Sequence, residues 1–89
     1  MTGHQRRSLE RHDVVQLADV QIGRDPAQHR IKVRNVSARG LMGEGALHVS
    51  SGTRLTIDLP EVGPVPGTVV WVQEPRFGVA FDDEVELLA

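Results

Sequence analysis

Arg54-Leu55-Thr56-Ile57-Asp58-Leu59 alternates polar and apolar side chains without a break. Along an extended chain successive side chains point to opposite faces, so Leu55, Ile57 and Leu59 share one face while Arg54, Thr56 and Asp58 share the other. The stretch predicts a strand with one side in a core and the other in water. Immediately downstream, Pro60, Gly63, Pro64, Pro66 and Gly67 predict a rigid loop. Thr68–Gln73 and Phe77–Phe81 then read as a closing pair of strands, joined by the tight Glu74-Pro75-Arg76 connection.

Upstream the pattern continues. Val14–Ile22 is β-branched and apolar, with Val14, Ala18, Val20 and Ile22 on one face and Gln16 as the exception. Gly23-Arg24-Asp25-Pro26 is a turn. Ile31 and Val33 alternate with Lys32 and Arg34, giving a half-buried strand with a basic outer face. Residues 40–52 hold too many glycines for a regular strand, and Leu47 and Val49 are the positions there that suit one. Residues 82–89 have room for about two helical turns, with acids in the first as the helix dipole favours. Six short, evenly spaced strands predict an all-β domain: a closed or nearly closed six-stranded antiparallel barrel with at most a short C-terminal helix. Residues 1–11 are polar and carry no apolar pattern, which predicts a flexible arm in front of a domain spanning 12–89.

Composition narrows the function. A chain of 89 residues with 39% hydrophobic content supports one core and no cleft between lobes, so function belongs on a surface, a loop or a terminus. There is no cysteine, which excludes disulfides, thiolate metal sites and cysteine nucleophiles. Met1 to Arg7 lacks the apolar stretch of a secretion signal, and no apolar run is long enough to cross a membrane. A soluble cytoplasmic protein is expected. Residues 1–40 hold eight Arg or Lys against four acids, a local charge of +4, while residues 41–89 hold two against eight, a local charge of −6. Lys32 is the single lysine among the ten bases. Arginine's planar fork pairs bidentately with phosphates and guanine edges, so the bias favours shaped anion recognition over diffuse attraction.

Two clusters carry chemistry. Arg6-Arg7-Ser8-Leu9-Glu10-Arg11 contains Arg-x-x-x-Arg at positions 7 and 11, and Asn35-Val36-Ser37-Ala38-Arg39-Gly40 is an Asn-x-Ser-x-x-Gly at the end of the basic second strand. Guanidinium groups on an arm can wrap a dianion or meet the O6/N7 edge of guanine. Asn35 supplies a donor and an acceptor, Ser37 a hydroxyl, and Gly40 a backbone free to take positive φ or to approach a ligand. Alone, each has a plainer reading: a solvated basic arm, a serine capping a turn, a glycosylation acceptor without a secretion signal to support it. Gly40, Gly43 and Gly45 have the wrong spacing for a phosphate loop. The four histidines are scattered, no nucleophile elbow exists, and the acids at 82–86 read as a solubilising tail, so no catalytic or metal site is assigned. Trp71, among valines, reads as a core or half-buried residue before it reads as a base-stacking one.

In this order and separation the two clusters resemble those of the PilZ domain. Thr68-Val69-Val70-Trp71-Val72 and Phe77-Gly78-Val79-Ala80-Phe81 are similar to that family's late strand pair, with its Trp and Gly-Val-x-Phe, so the resemblance covers nearly the whole chain. It implies a barrel that binds cyclic di-GMP, a bacterial second messenger, without catalysis or cofactor. Carried over by position, it implies that Arg7 and Arg11 contact phosphates and guanine and that Asn35 and Ser37 contact a guanine edge. It implies further that Gly40 allows close approach and that Arg6 favours an intercalated ligand pair. The expected mechanism is a receptor whose arm is ordered by ligand and then read by a downstream partner protein. The alternative is a protein–protein adaptor of the same fold acting without ligand. A nucleic-acid-binding barrel is disfavoured, since Trp71, Phe77 and Phe81 make no stacking platform.

Overall fold

The structure, a computed structural model, describes residues 16–86. Its strands are β1 (Gln16–Ile22), β2 (Gln28–Arg34), β3 (Gly40–Glu44), β4 (Arg54–Leu59), β5 (Gly63–Gln73) and β6 (Arg76–Phe81). All neighbours are antiparallel, and the sheet closes on itself in the order β1-β2-β3-β6-β5-β4. The six-stranded antiparallel barrel expected from the alternation is the fold. The arm predicted over residues 1–11 lies outside the described residues, as does Val14.

Alternation sends one side chain in two to the interior. Ala18 and Val20, Ile31 and Val33, and Leu55, Ile57 and Leu59 all face inward and are buried. Val20, Val33, Ile57, Val69 and Phe77 are sealed from solvent, each worth about 1.5–3 kcal/mol of burial. Among the described residues no polar or charged side chain is buried, so the core is apolar throughout. A barrel of this size is filled by its own side chains, which leaves the outer surface and the rims for function.

Three segments differ from the sequence reading. The third strand is Gly40–Glu44 rather than a stretch around Leu47 and Val49. Its glycines are there because neighbours press on the backbone: a Cβ at Gly43 would sit 2.6 Å from Cζ of Phe77. Leu47 is buried and Val49 packs on the core, but from irregular backbone. Second, the loop expected from Pro60 to Gly67 shrinks to the turn at 60–62, because β5 begins at Gly63. Pro64 and Pro66 lie where β5 pairs with β4 alone, before its pairing with β6 starts at Gly67, so their missing N–H groups cost the ladder little. Third, residues 82–86 form no helix. Their groups are tied to the barrel instead: Asp82 N–H donates to Pro66 C=O (3.0 Å) and Val85 N–H to Ala38 C=O (2.9 Å).

The same segment is clasped by Arg54. Its Nη1 and Nη2 donate to Oδ1 and Oδ2 of Asp82 at 2.6 and 2.7 Å, and Nη1 also donates to Thr68 Oγ1 at 2.8 Å. The hydrogen bonds from Arg54, helped by its charge and opposed by partial desolvation, hold the Asp82 carboxyl below its ordinary range. A carboxyl whose folded pKa is depressed contributes stability above its unfolded pKa and loses it as pH falls through the folded value. Asp82→Asn should therefore lower the thermal midpoint modestly at neutral pH, as suits an exposed pair. The two melting curves should converge in acid when followed by circular dichroism, and a gap that stays constant with pH would remove the charge from the explanation.

Candidate functional site

The link from β2 to β3 is shaped by its own side chains. Asn35, just after β2, lies in the left-handed region at φ 52°, which its short polar side chain tolerates better than most. Val36 and Ala38 are buried beneath the link, so Asn35, Ser37 and Arg39 alternate toward solvent. Ser37 N–H donates to Gly40 C=O at 2.9 Å, closing the turn. The Ser37 hydroxyl donates to the same carbonyl and accepts from Arg39 N–H, both at a long 3.3 Å. The turn-capping role of Ser37 is thus present, and it leaves the hydroxyl at the rim of the site.

Of the two freedoms expected of Gly40, positive φ is not used. Its φ is outside the left-handed region, and the positive φ of this motif falls on Asn35. A Cβ at Gly40 would collide with the Val79 carbonyl oxygen of β6, so the residue is fixed by the approach of two strands.

Trp71 completes the site by a change of phase. Val65, Gly67 and Val69 point inward, and unbroken alternation would send Trp71 inward too. The register instead runs from Val69 opposite Val79 directly to Trp71 opposite Gly78, leaving Val70 as an inserted residue. Such a bulge re-aims the side chains beyond it. Trp71 therefore lies on the outer face, 40% exposed, with its indole over Gly78 so closely that a Cβ there would overlap the ring. A recess of about 270 Å³ is bounded by Asn35, Ser37, Arg39, Gly40, Trp71 and Gly78, among others.

Cations flank it. Arg34 lies opposite Met42, which lies opposite Gly78, so Arg34 is in the same cross-strand row as Trp71. In the next row Lys32, Glu44 and Arg76 are successive partners. Glu44 is shared by Arg34 (3.3 Å) and Arg76 (3.9 Å), one carboxylate among three bases. A larger recess of about 530 Å³ elsewhere on the barrel has Asp19, Asp58 and Glu61 in its lining against Arg30, and Arg30 is already paired with Asp19 at 2.9 Å. Its charge repels a dianion, so the smaller recess is the candidate. Among the described residues no cluster of His, Asp or Glu is gathered as metal ligands would be, and no helix is long and apolar enough to cross a membrane.

A protein-family model, the PilZ domain, matches residues 5–88. The chain belongs to the PilZ family. The match takes in both the arginine cluster and Asn35–Gly40, and PilZ domains form a family of cyclic di-GMP receptors. No curated protein matches the chain. Of the site residues expected from the sequence, the PilZ barrel brings Asn35, Ser37 and Gly40 to one recess, whereas Arg6, Arg7 and Arg11 lie outside the described residues. Arg39, Met42 and Gly78 join the recess without having been expected there. The tryptophan–glycine pair was the readable signal, because an aromatic ring laid over a cross-strand glycine is a known way of covering it.

Proposed function

We propose that this PilZ domain is a cyclic di-GMP receptor in which Arg7 and Arg11, assisted by Arg6, hold the ligand's phosphates and a guanine over the recess at Asn35, Ser37 and Gly40. One observation carries the reading: Gln16, where the described chain enters the barrel, is paired with Val33, two residues before Asn35. This register supports an arginine segment that reaches the polar turn. Arg11 is five residues ahead of Gln16, a reach of roughly 17 Å when extended at about 3.3–3.6 Å per residue, enough to lie across the recess. In the free protein Arg6, Arg7 and Arg11 repel one another, and the dianion neutralises them. Ordering the arm costs about 1–2 kcal/mol per residue, which the contacts must exceed. The ordered arm then presents a new surface to a partner protein.

Calorimetry with cyclic di-GMP tests this. Micromolar or tighter binding is expected, about −8 kcal/mol or better, and absence of heat with a folded chain at high concentration defeats the proposal. Trp71 gives an independent readout as the single tryptophan. Its exposed ring is positioned to stack on a guanine, so its emission should change with titration and Trp71→Ala should cost about 1–3 kcal/mol of affinity. Emission that stays constant at saturation would separate Trp71 from the ligand. The exposed run Val70-Trp71-Val72 favours a second reading, an apolar contact for a protein partner that needs no ligand. A pull-down that succeeds equally with the Arg7→Ala/Arg11→Ala protein would favour that adaptor.

A further inference from the structure

Arg39 is the third polar or charged group set by the β2–β3 link, after Asn35 and Ser37, and its guanidinium is already paired through Nε. Its Nε donates to Glu84 Oε2 at 3.0 Å, from the segment after β6. Both side chains are well exposed, 70% for Arg39 and 57% for Glu84. The backbone beneath the pair is fixed at both ends: Phe81 N–H donates to Arg39 C=O (2.8 Å) and Val85 N–H to Ala38 C=O (2.9 Å). Arg39 also lines the recess beside Ser37 and Gly40. The side chains can therefore exchange partners while the main chain stays in place.

We infer that Glu84 is a resident competitor for Arg39, and that the phosphate of an anionic ligand in the recess displaces it. The inference rests on the receptor reading above and adds to it a fourth arginine and an internal carboxylate that opposes binding. An ion pair in water contributes little, whereas a phosphate offers the guanidinium fork two charge-assisted hydrogen bonds. The exchange is therefore favourable once the ligand is seated, and it releases one carboxylate next to Val85. Asp82 stays clasped by Arg54, so the change is confined to Glu84 and its neighbours. Ligand occupancy is thereby converted into a charge newly unpaired on the segment that follows the barrel.

The test is calorimetry with cyclic di-GMP on four full-length proteins at low ionic strength: wild type, Glu84→Gln, Arg39→Ala and the double variant. Glu84→Gln should bind more tightly, by up to about fivefold, the scale of an exposed ion pair. Arg39→Ala should bind about tenfold more weakly, the scale of a lost charge-assisted hydrogen bond. The double variant should match Arg39→Ala, since a competitor without its target has no effect. If wild type binds but Glu84→Gln is unchanged, or if its gain persists without Arg39, the competition is overturned and the receptor reading stands. Wild type that binds nothing overturns both.

Discussion

Arg7→Ala/Arg11→Ala is expected to weaken cyclic di-GMP binding by about a hundredfold while leaving the barrel folded. Removing one hydrogen-bonding partner of a charged group costs about 1.5–3 kcal/mol, or roughly ten- to a hundredfold per arginine. The two act on one ligand, so their losses need not add. The recess itself is built from β3, β5 and β6 and the link between β2 and β3, none of which the substitutions alter. The thermal midpoint without ligand should therefore match wild type, and the ligand-induced change in Trp71 emission should vanish. Asn35→Ala or Ser37→Ala should be milder, since each removes a neutral hydrogen-bonding group. An affinity that survives the double substitution would move the phosphate contacts to Arg34, Arg39 or Arg76.

The second large effect is structural. Phe77→Ala should reduce the free energy of unfolding by about 3–5 kcal/mol, the cost of deleting a buried aromatic ring and leaving a cavity. Phe77 is 1% exposed and is the largest of the sealed side chains, with its ring tip against Gly43 of β3. Small domains have only about 5–15 kcal/mol in total, so the variant should be close to unfolding at ambient temperature. Phe77→Leu should recover most of the loss, as a smaller change of volume. Urea unfolding followed by circular dichroism reads both, and a loss below about 1 kcal/mol for the alanine variant would contradict the packing described.

The barrel was legible because period-two alternation is strict in β4 and clear in β2, and because turn residues separate the strands. Where it failed, the cause was pairing that a one-dimensional pattern does not contain. Gly40 and Gly43 look like strand breakers until β6 is seen pressing on them. Pro64 and Pro66 look like a loop until it is seen that β5 has one neighbour there and not two. Trp71 reads as a core or half-buried residue, and the unpaired Val70 decides between the two by turning it to the outer face. The polar half of the candidate site was readable from Asn35 and Ser37 because short motifs are local. The aromatic half was marked only by the Trp71 and Gly78 pair, and its place beside Asn35 and Ser37 depends on the ladder between β3 and β6.

That ladder joins residues up to forty positions apart, Gly40 to Ala80, so the two halves of the recess meet only when β3 and β6 have paired. An unfolded chain offers no such surface. Mass action then makes every occupant of the recess a stabiliser of the native state, by RT ln(1 + [L]/Kd), or about 2.7 kcal/mol at a hundredfold excess over Kd. Under the proposed function, cyclic di-GMP concentration would also set how long the folded domain survives proteolysis.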